Sequence, residues 1–223
     1  MFIVGGGPSL LDFNLGKLVN EDVIAVNGSI FNLPRAKLFV TMDYTFLSKA
    51  KIIGSDVRND RFVAFVSNPA EKVFVVGYES GRFKKDGDSV VIDTFSGIKY
   101  NLRLFNRVIF AAERGGVGLS LDDFRSSSDS GYSAIQLAVL HKYNEIYLMG
   151  FDFTVRGEKT HYHNIYGGGC AKAYTSRLDW FLTEYERLFR EIGEKTSVKV
   201  FSCSKISKLN GLIPYIDTGK ILC

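Results

Sequence analysis

Short apolar runs recur near the start of the chain at regular intervals: Phe2-Ile3-Val4, Val23-Ile24-Ala25-Val26 and Lys37-Leu38-Phe39-Val40. The polar and turn-forming stretches between them are long enough for crossovers, so the pattern predicts strands paired in parallel. Each predicted strand ends in polar or turn-forming residues. Pro8 and Ser9 suit the first turn of a helix, and Asn27-Gly28 and Asp43 close the next two strands. From about 60 to 123 the pattern is β-rich. Phe62 to Val66, Lys72 to Val76, Val90 to Asp93 and Val108 to Phe110 read as strands, with Gly77, Gly81, Gly87 and Gly97 between or after them. This stretch predicts either an antiparallel insertion or an extension of the main sheet's edge.

Beyond it, Tyr132 to Leu140 is apolar with no polar face, the pattern of a helix buried in the layer covering a sheet. The strand Glu145 to Met149 follows and ends in Gly150-Phe151-Asp152. Leu178, Phe181, Leu182, Tyr185, Leu188, Phe189 and Ile192 recur at three- and four-residue spacing, the stripe of an amphipathic helix. A last strand, Val198 to Phe201, leads to a short helix ending near Asn210-Gly211. Alternation of this kind predicts an α/β fold, Rossmann-like and doubly wound, with a mainly parallel sheet and a β-rich insertion. The 223 residues are enough to bury roughly 70% of the unfolded surface. With no Pro/Ser-rich linker and no internal repeat, one domain over 1–223 is expected, carrying the elaboration at about 60–123.

Composition narrows the function classes. Hydrophobic content of 46% and charge of 23% are ordinary for a soluble globular chain. No apolar run approaches the about 18 to 20 residues of a membrane span. The first residues run straight into glycines without the charged and apolar regions of a signal peptide, so a cytoplasmic location is expected. Cys170, Cys203 and Cys223 are odd in number and widely spaced, which argues against a disulfide framework. The net charge of +4 is scattered, leaving no clear nucleic-acid site. Lys84-Lys85 reads as the tip of a solvated hairpin. Self-association is left open.

The most specific local chemistry is Gly5-Gly6-Gly7-Pro8-Ser9 directly after the first strand. Glycines let backbone N–H groups approach a phosphate, and a following helix N-terminus adds partial positive charge. Leu10 stands where a dinucleotide fingerprint needs its third glycine, and no Gly-Lys-Ser/Thr follows to make a P-loop. A second anion turn is expected at Ser126-Ser127-Ser128-Asp129-Ser130-Gly131, ahead of the buried helix. Asp43 and Asp152 suit a ribose, a base, a metal or a simple Asx turn. Two lone carboxylates do not fix a metal, and no metal site is expected. His161-Tyr162-His163 lies in a polar, glycine-containing stretch that reads as a lid over about 154–172. Histidine is the usual base at neutral pH, and tyrosine can hydrogen-bond a departing phosphate. Zinc held by His161, His163 and Cys170 would lack a fourth ligand at convincing spacing. His141 reads as a helix C-cap.

Taken together, Gly5 to Leu10, Asn27, Ser130-Gly131 through Glu145 to Phe153, and His161-Tyr162-His163 resemble the family 42 bacterial sialyltransferases and related phage-encoded proteins. That group is also similar to the archaeal hydroxymethyl-dihydropterin diphosphokinase family. The resemblance implies a metal-independent glycosyltransferase whose nucleotide-sugar donor is CMP-linked. The nucleotide would lie against Gly7, Asn27, Ser130 and Gly131, with His163 or His161 as base and no cofactor; the acceptor is not specified. Gly6, Asp43 and Thr154 stand where the family has asparagine, asparagine and tyrosine. Two alternatives come with the resemblance: a diphosphokinase with magnesium on Asp43 and Asp152, and a non-catalytic nucleotide-binding or phage module.

Overall fold

The computed structural model describes residues 1–53, 59–78, 102–127, 129–166 and 174–222, and the backbone of 83–86 and 89–92. Its centre is a seven-stranded sheet in the order β11-β10-β1-β2-β3-β4-β7. The strands are β1 (Phe2–Val4), β2 (Val23–Val26), β3 (Leu38–Thr41), β4 (Glu71–Val76), β7 (Arg107–Phe110), β10 (Glu145–Met149) and β11 (Lys199–Ser202). Every pairing in it is parallel. The chain winds outward from β1 to β7, then returns to the other side of β1 for β10 and β11. The direction of winding therefore reverses between β1 and β10, and at such a switch point the loops leaving the two strands part and open a crevice.

Both faces of this sheet are covered, and the period-2 alternation of the strands sorts side chains between them. Ile3, Ile24, Val40, Val73 and Leu148 face α3 (Ser130–Leu140) and α4 (Leu178–Lys195). Phe2, Val4, Phe39, Phe74 and Val76 face the opposite layer. That layer holds α1 (Tyr44–Lys49), α2 (Asp60–Ser67) and short 3-10 turns, a thinner cover that aromatic rings fill out. Phe39, for example, lies 5.2 Å from the Phe65 ring and 6.2 Å from Phe46. Among the described residues no helix is long and apolar enough to cross a membrane.

Residues 130–139 of α3 are all buried, which is why the sequence shows no polar face there. Gln136 is tolerated inside because its amide bonds Gly118 on both sides, accepting from the N–H at 2.9 Å and donating to the carbonyl at 2.6 Å. In α4 the apolar stripe packs inward while most charged residues face solvent; Glu191 is the buried exception, accepting from Val117 N–H at 3.1 Å. Tyr185 of that stripe is fully buried and its hydroxyl donates to Asp129 Oδ1 at 2.9 Å. Tyr185→Phe is expected to cost about 1–2 kcal/mol in a denaturant titration, because a buried carboxylate loses one of its donors.

The middle of the chain differs from the sequence expectation. Phe62 to Val66, expected as a strand, lies inside helix α2. Its Asn59 side chain accepts from the N–H groups of Arg61 and Phe62, a cap that decides for helix where an uninterrupted apolar run has no readable period. Lys72 to Val76 and Val108 to Phe110 are not antiparallel; they are β4 and β7 at the edge of the main sheet, so extension of that edge is the correct reading. Among the described residues of this stretch, β5 (Phe83–Asp86) and β6 (Ser89–Ile92) form the one antiparallel pair. Lys84-Lys85 accordingly lies on β5 rather than in a turn. A small parallel pair, β8 (Glu113–Arg114) with β9 (Arg125–Ser126), completes the elements. Gly81, Gly87, Gly97, Ser128, Gly167 to Gly169, Cys170 and Cys223 lie outside the described residues.

Candidate functional site

The turn after β1 sits at the switch point, pressed against the loop leaving β10. Gly5 N–H donates to Met149 O and Gly7 N–H to Gly150 O, each at 2.8 Å. A Cβ on Gly7 would stand 2.6 Å from Gly150 O and 2.5 Å from the Asp152 carboxylate, so no larger residue fits. Pro8 and Ser9 do not open an α-helix; they begin a five-residue 3-10 helix, Pro8–Asp12. Its first donors already hold an anion. Buried Asp152 accepts from Ser9 N at 2.6 Å and from Ser9 Oγ at 2.7 Å. Charge-assisted bonds of this kind are among the stronger ones. Three of the turn's backbone N–H groups and the Ser9 hydroxyl are thus engaged within the protein, and the 3-10 helix is closed by the chain's own carboxylate.

The second turn is also built around a carboxylate. Asp129 caps α3, its Oδ1 accepting from Tyr132 N at 3.0 Å as well as from Tyr185. Its Oδ2 is buried without a partner among the described residues, as are the hydroxyls of Ser126 and Ser127. Burial pushes the Asp129 carboxyl pKa up, with the Tyr132 and Tyr185 bonds opposing. Ser130 faces β3, its hydroxyl accepting from Met42 N at 3.0 Å. Gly131 lies tight under Phe151, where a Cβ would meet the ring at 2.5 Å. The turn thus holds two buried hydroxyls and a buried carboxyl oxygen side by side.

The strand ends of β2 and β3 are tied together by a closed set of hydrogen bonds. Asn27, at a left-handed φ of 50° that asparagine tolerates, accepts from Thr41 Oγ1 at 2.7 Å. Its amide donates to Tyr166 Oη at 3.2 Å, and Tyr166 donates to Asp43 Oδ2 at 2.8 Å. Asp43 N–H returns to Thr41 Oγ1 at 3.1 Å, and Asp43 Oδ1 caps α1 through Phe46 N. Thr41 and Tyr166 were missed in the sequence, where neither belongs to a motif. Tyr166→Phe is expected to lower stability by about 1–2 kcal/mol, since it removes one acceptor and one donor to a carboxylate; a thermal melt checks it.

The segment carrying the histidines lies back over these strand ends. Tyr162 N–H donates to Gly6 O at 2.9 Å, and its hydroxyl accepts from Asn32 Nδ2 at 3.3 Å. The His161 ring covers Gly6, where a Cβ would meet Cδ2 at 2.5 Å, and the His163 ring covers Gly28 just as closely. The two imidazoles are 5.2 Å apart, and the Tyr166 ring lies 4.8 Å from His161 and 5.8 Å from His163. His161 Nδ1 is 2.8 Å from Thr160 Oγ1. Both ring nitrogens of His163 are buried with no partner among the described residues. Burial pushes both imidazoles down to about 4, opposed at His161 by the Asp43 charge and reinforced at His163 by His161 and Arg61. Burial likewise holds the Tyr162 phenol up at about 12. At neutral pH the site thus carries two uncharged imidazoles and a protonated phenol: proton acceptors beside a donor.

On its outer side His163 lines a cleft of about 340 Å³ shared with Gly28, Asn32, Arg61 and Asn164. Among the described residues no three His, Cys, Asp or Glu side chains come together as a metal-binding group, and Cys170 lies outside them. No D-x-D pair was expected, yet the chain has that spacing once, at Asp86-Gly87-Asp88. Its first residue ends β5 in the separate hairpin, and Asp88 lies outside the described residues. His141 ends α3 as its C-cap, as expected.

Comparison with known proteins adds distant likenesses. No family model matches the chain, and no curated protein matches its sequence. Among solved structures, the sialyltransferase CST-II in complex with a trisaccharide acceptor and CMP is similar at a TM-score of 0.48 and 14% identity. That match covers 96% of this chain and 84% of that one. The sialyltransferase CstII from Campylobacter jejuni with cytidine-5'-monophosphate gives 0.46 and 15%, covering 96% and 83%. The Maf glycosyltransferase from Magnetospirillum magneticum AMB-1 gives 0.44 and 14%, covering 93% of this chain and 32% of that one. Likeness this remote carries no chemistry across; the site must speak through its own residues.

Proposed function

We propose that the chain is a glycosyltransferase that takes its sugar from a nucleotide-sugar, CMP-linked, and passes it to a hydroxyl acceptor without a metal ion. The observation that carries this reading is His163: an uncharged imidazole with both nitrogens unpartnered, held over strand ends at the switch point and opening on a cleft. His163 takes the acceptor's O–H proton as the oxygen attacks the anomeric carbon. The bond from that carbon to the phosphate oxygen breaks on the opposite face, and the phosphate leaves with the electron pair. Tyr162, kept protonated, donates to that phosphate. His161 packs beside His163 and orients it. Residues 154–172 act as the lid in this reading.

The nucleotide lies between the two turns. Asp129 Oδ2 with the Ser126 and Ser127 hydroxyls suits groups that donate, such as a ribose hydroxyl or a base amino group. Asp43 and Asp152 support the metal-free reading, since each has both oxygens engaged. The magnesium-dependent diphosphokinase alternative would have to pull them from Tyr166 and Ser9.

A thermal-shift screen of CMP, CMP-sugars, UDP-sugars, ATP and GTP, with and without magnesium, tests the assignment by mass action. Stabilisation by CMP or CMP-sugars without magnesium is expected. Stabilisation only by ATP or GTP with magnesium would move the protein to the diphosphokinase class, and nucleotide binding with no turnover of any donor would make it a binding module.

A further inference from the structure

Thr160 stands one position before the histidine pair, belongs to no motif, and is buried at 8% exposure. Among the described residues its hydroxyl has a single hydrogen-bond partner, Nδ1 of His161 at 2.8 Å. A hydroxyl has one proton to give, and a neutral imidazole has one nitrogen that gives and one that accepts. Two arrangements fit the distance. Were Nδ1 the protonated nitrogen, the Thr160 proton would be left in a buried place with no acceptor among the described residues, which is costly. With the hydroxyl donating to Nδ1, that proton is placed and the imidazole's own proton falls on Nε2.

The ring is not free to exchange these roles by turning. Its centroid lies 4.8 Å from the Tyr166 ring, 5.2 Å from His163 and 6.1 Å from Tyr174, and its Cδ2 edge is pressed onto Gly6. Nε2 comes out beside that glycine. Measured from where a Cβ would stand on Gly6, Nε2 of His161 is 3.5 Å away and Nε2 of His163 is 3.4 Å away, so both imidazoles bring the same ring nitrogen to the first turn. Nε2 of His161 has no hydrogen bond among the described residues, yet unlike both nitrogens of His163 it is not fully buried.

We infer that Thr160 is a positioning residue: it holds His161 in the tautomer protonated at Nε2, so that His161 offers the first turn a proton donor and has its one lone pair already engaged. In the transferase reading, on which this consequence alone rests, His161 cannot take the acceptor's proton without breaking the Thr160 bond. The base is then His163. The tautomer itself depends on neither a donor nor a transfer step.

The test is long-range proton–nitrogen NMR of the full chain, labelled with nitrogen-15 at its three histidines, without ligand. The pH is held at about 7.5, well above the titration of both buried imidazoles. Signals absent from His161→Gln belong to His161. Expected in the wild type are a protonated Nε2 and an unprotonated Nδ1 at the position of a hydrogen-bond acceptor. Thr160→Val, which removes the hydroxyl, should shift the Nδ1 signal from that position, and Thr160→Ser should keep it there. A wild-type His161 protonated at Nδ1 overturns the proposal, and this readout needs no Thr160 variant to fold. So does an Nδ1 signal unmoved by Thr160→Val, or one moved as far by Thr160→Ser. No sugar donor enters these spectra, so failure of the transferase reading and failure of the tautomer assignment are seen separately.

Discussion

His163→Ala lowers kcat for sugar transfer by about 10²- to 10⁴-fold, the range that loss of a positioned base produces, while the donor KM changes little. The asymmetry between the two histidines is the reason to expect the effect here. Both rings pack over a glycine, but His161 has one nitrogen beside the Thr160 hydroxyl, whereas both buried nitrogens of His163 have no partner among the described residues. His161→Ala is therefore expected to cost less, through loss of the packing that orients its neighbour. A base at about 4 is weak, but a bound phosphate would stabilise the imidazolium and raise it toward the working pH. Steady-state kinetics on both variants, with the pH profile of kcat, is the measurement. Equal transfer by wild type and the double alanine variant would remove histidine from the chemistry altogether.

The second large effect is on stability. In the unfolded chain each histidine titrates near 6.5, and in the fold both are pushed down to about 4. Between those values the unfolded state binds more protons, so stability is full above about pH 6.5 and is lost as pH falls toward 4. At about 1.4 kcal/mol per pKa unit, two such groups withdraw up to about 3 kcal/mol each. The segment over the site is a loop tied to the strand ends through Tyr162 N–H to Gly6 O and the Tyr166 hydroxyl to Asp43, and it is expected to open before the sheet unfolds. Hydrogen exchange at the Tyr162 amide should accelerate across that window. Carboxylates elsewhere also begin to protonate at its lower end, so the readout is wild type against His161→Asn/His163→Gln. The double variant should show a flatter pH dependence, and parallel curves would mean that the buried imidazoles are not the cause.

Much of the architecture is legible in the residues because strands buried on both faces must be apolar and crossovers must be long. β1, β2, β3, β10, β11, the buried helix and the amphipathic helix all follow from that. Phe62 to Val66 was not legible, since an unbroken apolar run satisfies strand and helix alike and the Asn59 cap decides only once the segment packs against Phe39. For the site, residue types and strand ends point to Gly5 to Ser9, Asn27, Asp43, Ser130-Gly131, Asp152 and the histidines. The partners that set their roles, Asp152 for Ser9 and Tyr166 for Asn27 and Asp43, lie more than 120 positions away in sequence and leave no local trace.

The amino-acid sequence by itself determined which segments become strands and helices and where polar chemistry gathers, because periodicity and turn residues act over a few positions. Only the tertiary structure decided who meets whom. It placed Asp152 on Ser9, a contact spanning 143 positions, so that the first turn is closed by the protein's own carboxylate. It closed the ring of Thr41, Asn27, Tyr166 and Asp43, and it left the nitrogens of His163 buried and unpartnered. Such pairings depend on the order of strands in the sheet, which no local pattern of side chains encodes.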